Sequence, residues 1–216
     1  MELRKVRCLE MHLFFSSRLF TQIIAPCLQE LIIHDTVRIA RLALFLQTSG
    51  AHITHLQLRG FQLSPNHISS GVSGPQMLLI HVPSLESLSV SFKSGDNVSD
   101  ESGPVALNYF LTALTFDEED DHCPTLSQLI LSNVDMDEPS IFIDMLETRT
   151  THRGNSDVGL HLVQTLTSVQ YTSLFESPTS RFGNEDMACL EDVTRHLQTF
   201  SMQDGKVRHE SVSSSE

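Results

Sequence analysis

A leucine pattern occupies Pro124-Thr125-Leu126-Ser127-Gln128-Leu129-Ile130-Leu131, where apolar residues stand at relative positions one, four and six after a proline. We call this pattern the frame. In an extended strand, positions four and six project to one face, and position five projects to the other. Proline fixes its own φ and biases the preceding residue towards extended backbone, so it marks the start of a strand.

The frame recurs along the chain, and its first positions are Val6, Leu28, Ile53, Leu85, Leu126 and Leu166. One such strand cannot bury its apolar face alone, but copies stacked side by side form a parallel sheet with one continuous core. The spacings between first positions are 22, 25, 32, 41 and 40 residues. The first two fit leucine-rich repeats, and the longer ones require inserted helices and loops.

We therefore predict an α/β fold, namely an irregular leucine-rich-repeat-like solenoid with a parallel sheet on the concave side and helices outside. The solenoid should cover residues 1–172, followed by a helical cap at 173–203 and a disordered tail at 204–216. Within the cap, we expect an amphipathic helix that begins with Asn184 as its N-cap and runs to about Phe200.

Charge and composition exclude several classes of partner. The chain of 216 residues has a net charge of −13, with +3 in residues 1–60 and −16 in the remainder. Such an acidic chain is a poor binder of nucleic acids and membrane surfaces, and no apolar run is long enough to span a bilayer. The four cysteines form no C-x-x-C pair, which argues against a disulfide framework and favours a cytoplasmic or nuclear location.

Three segments resemble the F-box/leucine-rich-repeat-like proteins that are abundant in mushroom-forming fungi. They are Leu42-x-x-x-Leu46-x-x-Ser49-Gly50 with Ile53-x-x-Leu56-x-Leu58, Val82-Pro83-Ser84-Leu85-Glu86-Ser87-Leu88, and Cys123-Pro124-x-Leu126-x-x-Leu129 with Met145-Leu146-x-x-Arg149. In that family, an F-box docks to the adaptor of a cullin-type ubiquitin ligase, and the repeats recruit substrate. No F-box-like segment precedes the repeats here, so the resemblance implies substrate recognition but gives no support for docking to the ligase adaptor.

The candidate binding residues lie at frame positions three, five and seven, which should face the open side of the sheet. Adjacent strands are about 4.8 Å apart, so neighbours in one row can touch. We predict a surface for a protein client that comprises His12, Glu30, His34, His55, Gln57, Arg59, Gln128 and Ile130. A solvated sheet face without a partner is the alternative.

Metal and cofactor chemistry has weaker support in the sequence. Glu10, His12, Glu30 and His34 are suitable ligand types, but no ligand-spacing motif accompanies them, so we predict no metal site and no cofactor. The acidic run at 117–121 lacks the EF-hand pattern and is typical of a solvated loop. Arg149 stands at a predicted helix end, where helix C-cap electrostatics explains it better than catalysis does.

Enzyme motifs are absent: the sequence contains no G-x-S-x-G, H-E-x-x-H, G-x-x-x-x-G-K-[ST] or G-x-G-x-x-G. The leading hypothesis is therefore a non-catalytic interaction module. A truncated or stand-alone repeat chain with no ligase role is the second hypothesis. The third is a hydrolase with an unrecognised site.

Overall fold

The structure is a computed structural model, and it describes residues 2–12, 22–34, 39–61, 74–92, 102–115, 122–134, 136–151, 165–173 and 182–203. Two predicted segments, the acidic run at 117–121 and the disordered tail at 204–216, lie outside these residues.

Seven parallel strands form one sheet, and their spatial order is their order in the chain. The strands are β1 (Cys8–His12), β2 (Glu30–His34), β3 (His55–Phe61), β4 (Ser87–Phe92), β5 (Gln128–Val134), β6 (Ser168–Ser173) and β7 (Thr199–Gln203). The first six coincide with the six predicted copies of the frame. The predicted α/β class and parallel sheet are therefore confirmed.

Five helices accompany the strands in the described residues: α1 (Ile39–Ser49), α2 (Gly74–Leu79), α3 (Ser102–Leu114), α4 (Pro139–Thr151) and α5 (Asn184–Thr194). Each helix packs against the next one in the chain. Helix α1 ends at Ser49, and the next residue, Gly50, adopts a φ of +64°, a left-handed conformation that favours glycine at a helix C-terminus. Among the helices described, none is both long and apolar enough to cross a membrane.

The frame aligns its leucines in one buried layer. Leu31, Leu56, Leu88 and Leu129 are register neighbours across four adjacent strands. Each of them is at most 1% exposed. The residues at positions one and six are buried with them from β2 to β6, so each strand contributes three apolar side chains to the same core.

The backbone repeats as closely as the side chains do. In all six gaps between strands, the carbonyl at frame position two accepts the N–H groups of positions two and three of the next strand. The carbonyl of Glu86, for example, accepts from Ser127 at 2.9 Å and from Gln128 at 3.0 Å. The same pairing therefore accompanies the same register in every gap between strands.

The prolines mark a repeated turn in front of the strands. The carbonyls of Ala25, Val82 and Cys123, each just before a proline, accept the N–H of the leucine three residues later at 3.1, 3.1 and 3.2 Å. All three residues before the prolines are buried. A hydrogen-bonded turn therefore gives each of these buried carbonyls a backbone partner.

Strands β3 and β5 each contain an irregularity at frame position eight. The register shifts between Arg59 and Phe61 in one ladder and between Ser132 and Val134 in another. The residues in between are Gly60 and Asn133, with φ of 66° and 55°. Glycine and asparagine tolerate this left-handed conformation best, so both bulges have a local sequence cause.

The C-terminal region differs from our expectation. The helix predicted to continue to about Phe200 ends at Thr194, and Thr199–Gln203 forms β7 instead. The N-cap of this helix is Gly183 and not Asn184. The N–H of Gly183 donates to Asp186 Oδ2 at 2.9 Å. Strand β7 is explained by a further copy of the frame without proline, with Leu197, Phe200 and Met202 packed against the core.

Arg149, near the end of α4, connects the end of α3 with the segment before β5. Its guanidinium is buried, and it donates from Nε to the carbonyl of Leu114 at 2.6 Å and from Nη1 to the carbonyl of Cys123 at 2.8 Å. Leu114 is the last residue of α3, so a positive group meets a helix C-terminus. Arg149 therefore caps α3, the helix before its own helix α4.

Candidate functional site

The face of the sheet opposite the core is formed by frame positions three, five and seven, and we call it the open face. From β1 to β7 it comprises Cys8, Glu10, His12; Glu30, Ile32, His34; His55, Gln57, Arg59; Ser87, Ser89, Ser91; Gln128, Ile130, Ser132; Ser168, Gln170, Thr172; and Thr199, Ser201, Gln203. None of these residues is buried. From β2 to β6 they alternate with buried neighbours, and in β1 and β7 with partly buried neighbours, as the period of two in a strand requires.

The eight predicted binding residues all lie on the open face, in two groups. His12, Glu30, His34, His55, Gln57 and Arg59 lie on the adjacent strands β1, β2 and β3. Gln128 and Ile130 lie on β5, and the serines of β4 separate them from the first group. The predicted residues therefore share one surface, but they do not meet at one point.

The end of the open face at β1 and β2 holds a compact cluster of ligand-bearing side chains. His12 and His34 are register neighbours, and their rings stack with centroids 4.0 Å apart and an interplanar angle of 14°. His34 Nε2 lies 2.6 Å from Glu10 Oε1. Glu10, His12 and His34 each offer a ligand atom, and these atoms lie within 4.8 Å of one another. Glu30, the fourth candidate ligand, is not part of this cluster.

Cys8 and Glu30 occupy neighbouring strands beside this cluster. Partial desolvation raises the pKa of the Cys8 thiol, and a hydrogen bond to Glu30 with the charges of Glu30 and Glu10 raises it further. A thiol with a raised pKa remains protonated at neutral pH and is a weak nucleophile. Cys8 therefore does not support a covalent catalytic mechanism.

The open face from β4 to β7 is uncharged and carries mostly hydroxyl and amide groups. Several of them pair across strands: Ser87 donates to Gln128 Oε1 at 2.9 Å, and Thr199 donates to Ser168 Oγ at 2.8 Å. Serine and threonine are short and lose little rotamer entropy when they are covered. Small hydroxyl groups therefore predominate on this half of the face.

The described residues include one serine–histidine contact that bears on the hydrolase hypothesis. Ser84 Oγ lies 3.4 Å from His52 Nδ1, and both residues stand in segments that precede strands. A triad requires a third group that orients the histidine. No carboxylate hydrogen-bonds to His52 in the described part of the chain, so the arrangement provides no triad.

The sequence analysis did not predict two features of the open face, namely strand β7 and the contact between Glu10 and His34. Thr199, Ser201 and Gln203 belong to β7, which the sequence analysis placed within the helical cap at 173–203. The pattern Leu197-x-x-Phe200-x-Met202 is the signal that could have identified this strand. Glu10 was considered only as a metal ligand, and its contact with His34 depends on side-chain conformations that the sequence does not show.

Comparisons with known proteins add no identification: no family model matches the chain, and no curated protein or solved structure matches it. Functional inference therefore depends on the geometry of the open face.

Proposed function

We propose that the protein is a non-catalytic interaction module that binds a protein client on the open face. One observation carries the proposal. The side chains of the open face are unburied on all seven strands, and the six parallel strand pairs align them in rows across the sheet. A parallel sheet is more often covered on both faces. A face with two isoleucines, Ile32 and Ile130, among small polar groups is suited to contact with another protein surface.

The chemistry of the face favours a folded protein partner with large side chains on its contact surface. The serines and threonines of β4–β7 let another backbone approach closely, and they supply adaptable hydrogen-bonding groups at little entropic cost. The residues of β1–β3 add charge and ring surface, with Arg59 available for a carboxylate and held near Gln57 Oε1 at 3.2 Å. Strands β4–β7 thus provide an uncharged contact surface, and strands β1–β3 provide charged and aromatic side chains.

We also propose an architecture for the chain and a consequence of its family resemblance. We infer an irregular leucine-rich-repeat-like solenoid in which the open face is the concave side and the helices lie outside. Sequential strand order, the repeated proline turns and the identical carbonyl pairing in every gap support it. On the resemblance to fungal F-box proteins, the client would be a substrate of a cullin-type ubiquitin ligase.

Affinity purification with a matched pair of variants tests the binding proposal. Ser89→Arg adds a long charged side chain at the centre of the open face, whereas Gln47→Arg adds the same group on the exposed surface of α1. We expect the wild type and Gln47→Arg to retain a client that Ser89→Arg binds at least about tenfold more weakly, a difference of about 1.4 kcal/mol. The affinities should be measured by titration with the purified client.

Two outcomes would contradict the proposal: recovery of the wild-type protein without any partner, or equal affinity of Ser89→Arg for the client. The same purification separates the two leading hypotheses. Recovery of the ligase adaptor together with the client would support a ligase role. A client without the adaptor would favour a stand-alone repeat protein.

A further inference from the structure

We propose that Glu10, His12 and His34 form a binding site for a divalent transition metal, with zinc as the cation of choice. The proposal is independent of client binding. It arises from the topology: Glu10 and His12 are two residues apart on β1 and therefore project from one face, and His34 is the register neighbour of His12 on β2. Two strands thus bring three ligands to one point.

The donor set selects the class of metal. Two imidazole nitrogens and one carboxylate oxygen are one of the known sets of three protein ligands for zinc, in which water or another ligand occupies the fourth position. Calcium and magnesium prefer oxygen ligands, so the two histidines disfavour them. All three side chains are accessible, since Glu10 and His12 are exposed and His34 is partly buried. The fourth position would therefore face solvent.

The distances require only small side-chain movements. Tetrahedral zinc with bonds of about 2.0–2.1 Å places its ligand atoms about 3.3 Å apart. The three ligand atoms lie within 4.8 Å of one another, so rotations of the side chains can bring them to that spacing. The contact of 2.6 Å between His34 Nε2 and Glu10 Oε1 would open to admit the metal between the two atoms.

The histidine pair also supplies the required lone pairs. Each neutral ring has one nitrogen that can donate electrons to a metal. Zinc binding would release any proton on the coordinating nitrogens, and affinity should fall in acid because protons compete for the same atoms.

Isothermal titration calorimetry of the full chain with zinc chloride tests the site. We expect one saturable site in the wild type, and at least about tenfold weaker binding in His12→Gln and in His34→Gln, because changes outside the first ligand shell alone cost roughly 10–100-fold. His55→Gln removes another exposed histidine of the open face, and Cys8→Ser removes the nearby thiol. Both controls should bind zinc as the wild type does.

Three results would overturn the proposal: no saturable binding in the wild type, unchanged affinity in His34→Gln, or an equal loss in His55→Gln. Circular dichroism of the metal-free variants establishes whether they are folded. Should a histidine variant fail to fold, Glu10→Gln provides the second test. It keeps a side chain that can accept a hydrogen bond from His34 but removes the charge of the carboxylate, so zinc binding should again weaken.

Discussion

Leu129 and Ser132 stand three residues apart on β5 but on opposite faces of the sheet. The Leu129 side chain is 0% exposed, and the Ser132 side chain is only partly buried on the open face. Leu129→Ala should lower the free energy of unfolding by about 2–5 kcal/mol, because it removes apolar contacts and leaves a cavity. Ser132→Ala should change it by less than about 0.5 kcal/mol. Urea unfolding of both variants measures the difference, and equal effects would contradict the register.

Arg149 also contributes to the stability of the fold, because it donates hydrogen bonds to carbonyls of two different segments. Arg149→Met retains much of the volume but removes both charge-assisted hydrogen bonds, so we expect a loss of roughly 2–4 kcal/mol in the free energy of unfolding. Arg149→Lys should also destabilise the fold, since an ammonium group lacks the planar fork that reaches both carbonyls. Chemical denaturation provides the measurement.

Arg195 provides a matched control for this test. It lies on the surface, and it contacts Asp192 at 3.3 Å with both side chains more than 70% exposed. Exposed ion pairs contribute little to stability, so Arg195→Met should leave the free energy of unfolding nearly unchanged. Equal destabilisation by Arg195→Met and Arg149→Met would show that the buried hydrogen bonds are not the cause.

The strands illustrate what a sequence pattern can and cannot predict about secondary structure. The frame predicted β1–β6 and their register because leucines at positions four and six must share a face, and because a one-residue slip would expose them. It did not predict β7, where phenylalanine and methionine replace leucine and the preceding residues are also helical. Local pattern is decisive only when no competing period overlaps it.

The candidate site was predictable to the same extent. The alternation within each strand placed all eight predicted residues on the open face. The contact partners of Arg149 were not predictable, because the carbonyls of Leu114 and Cys123 are distant in sequence. The contact between Glu10 and His34 likewise depends on the conformations of two side chains from different strands.

At the scale of the whole molecule, each of the seven described strands repeats one arrangement of core and open-face residues. One face carries the apolar layer, so residues of the other face can vary without loss of core contacts. The net charge differs between the two ends of the chain. Residues 1–60, which include the histidine- and arginine-bearing strands, carry +3, whereas the remainder carries −16.

A cysteine scan of β5 tests the central claim most directly. In a background with the exposed Cys8, Cys27 and Cys189 replaced by serine, each residue of the range 128–132 is changed in turn to cysteine, and its rate of reaction with a maleimide is measured under native conditions. We predict rapid labelling at positions 128, 130 and 132 and strong protection at 129 and 131. A uniform rate along the strand, or protection with a period other than two, would contradict the account.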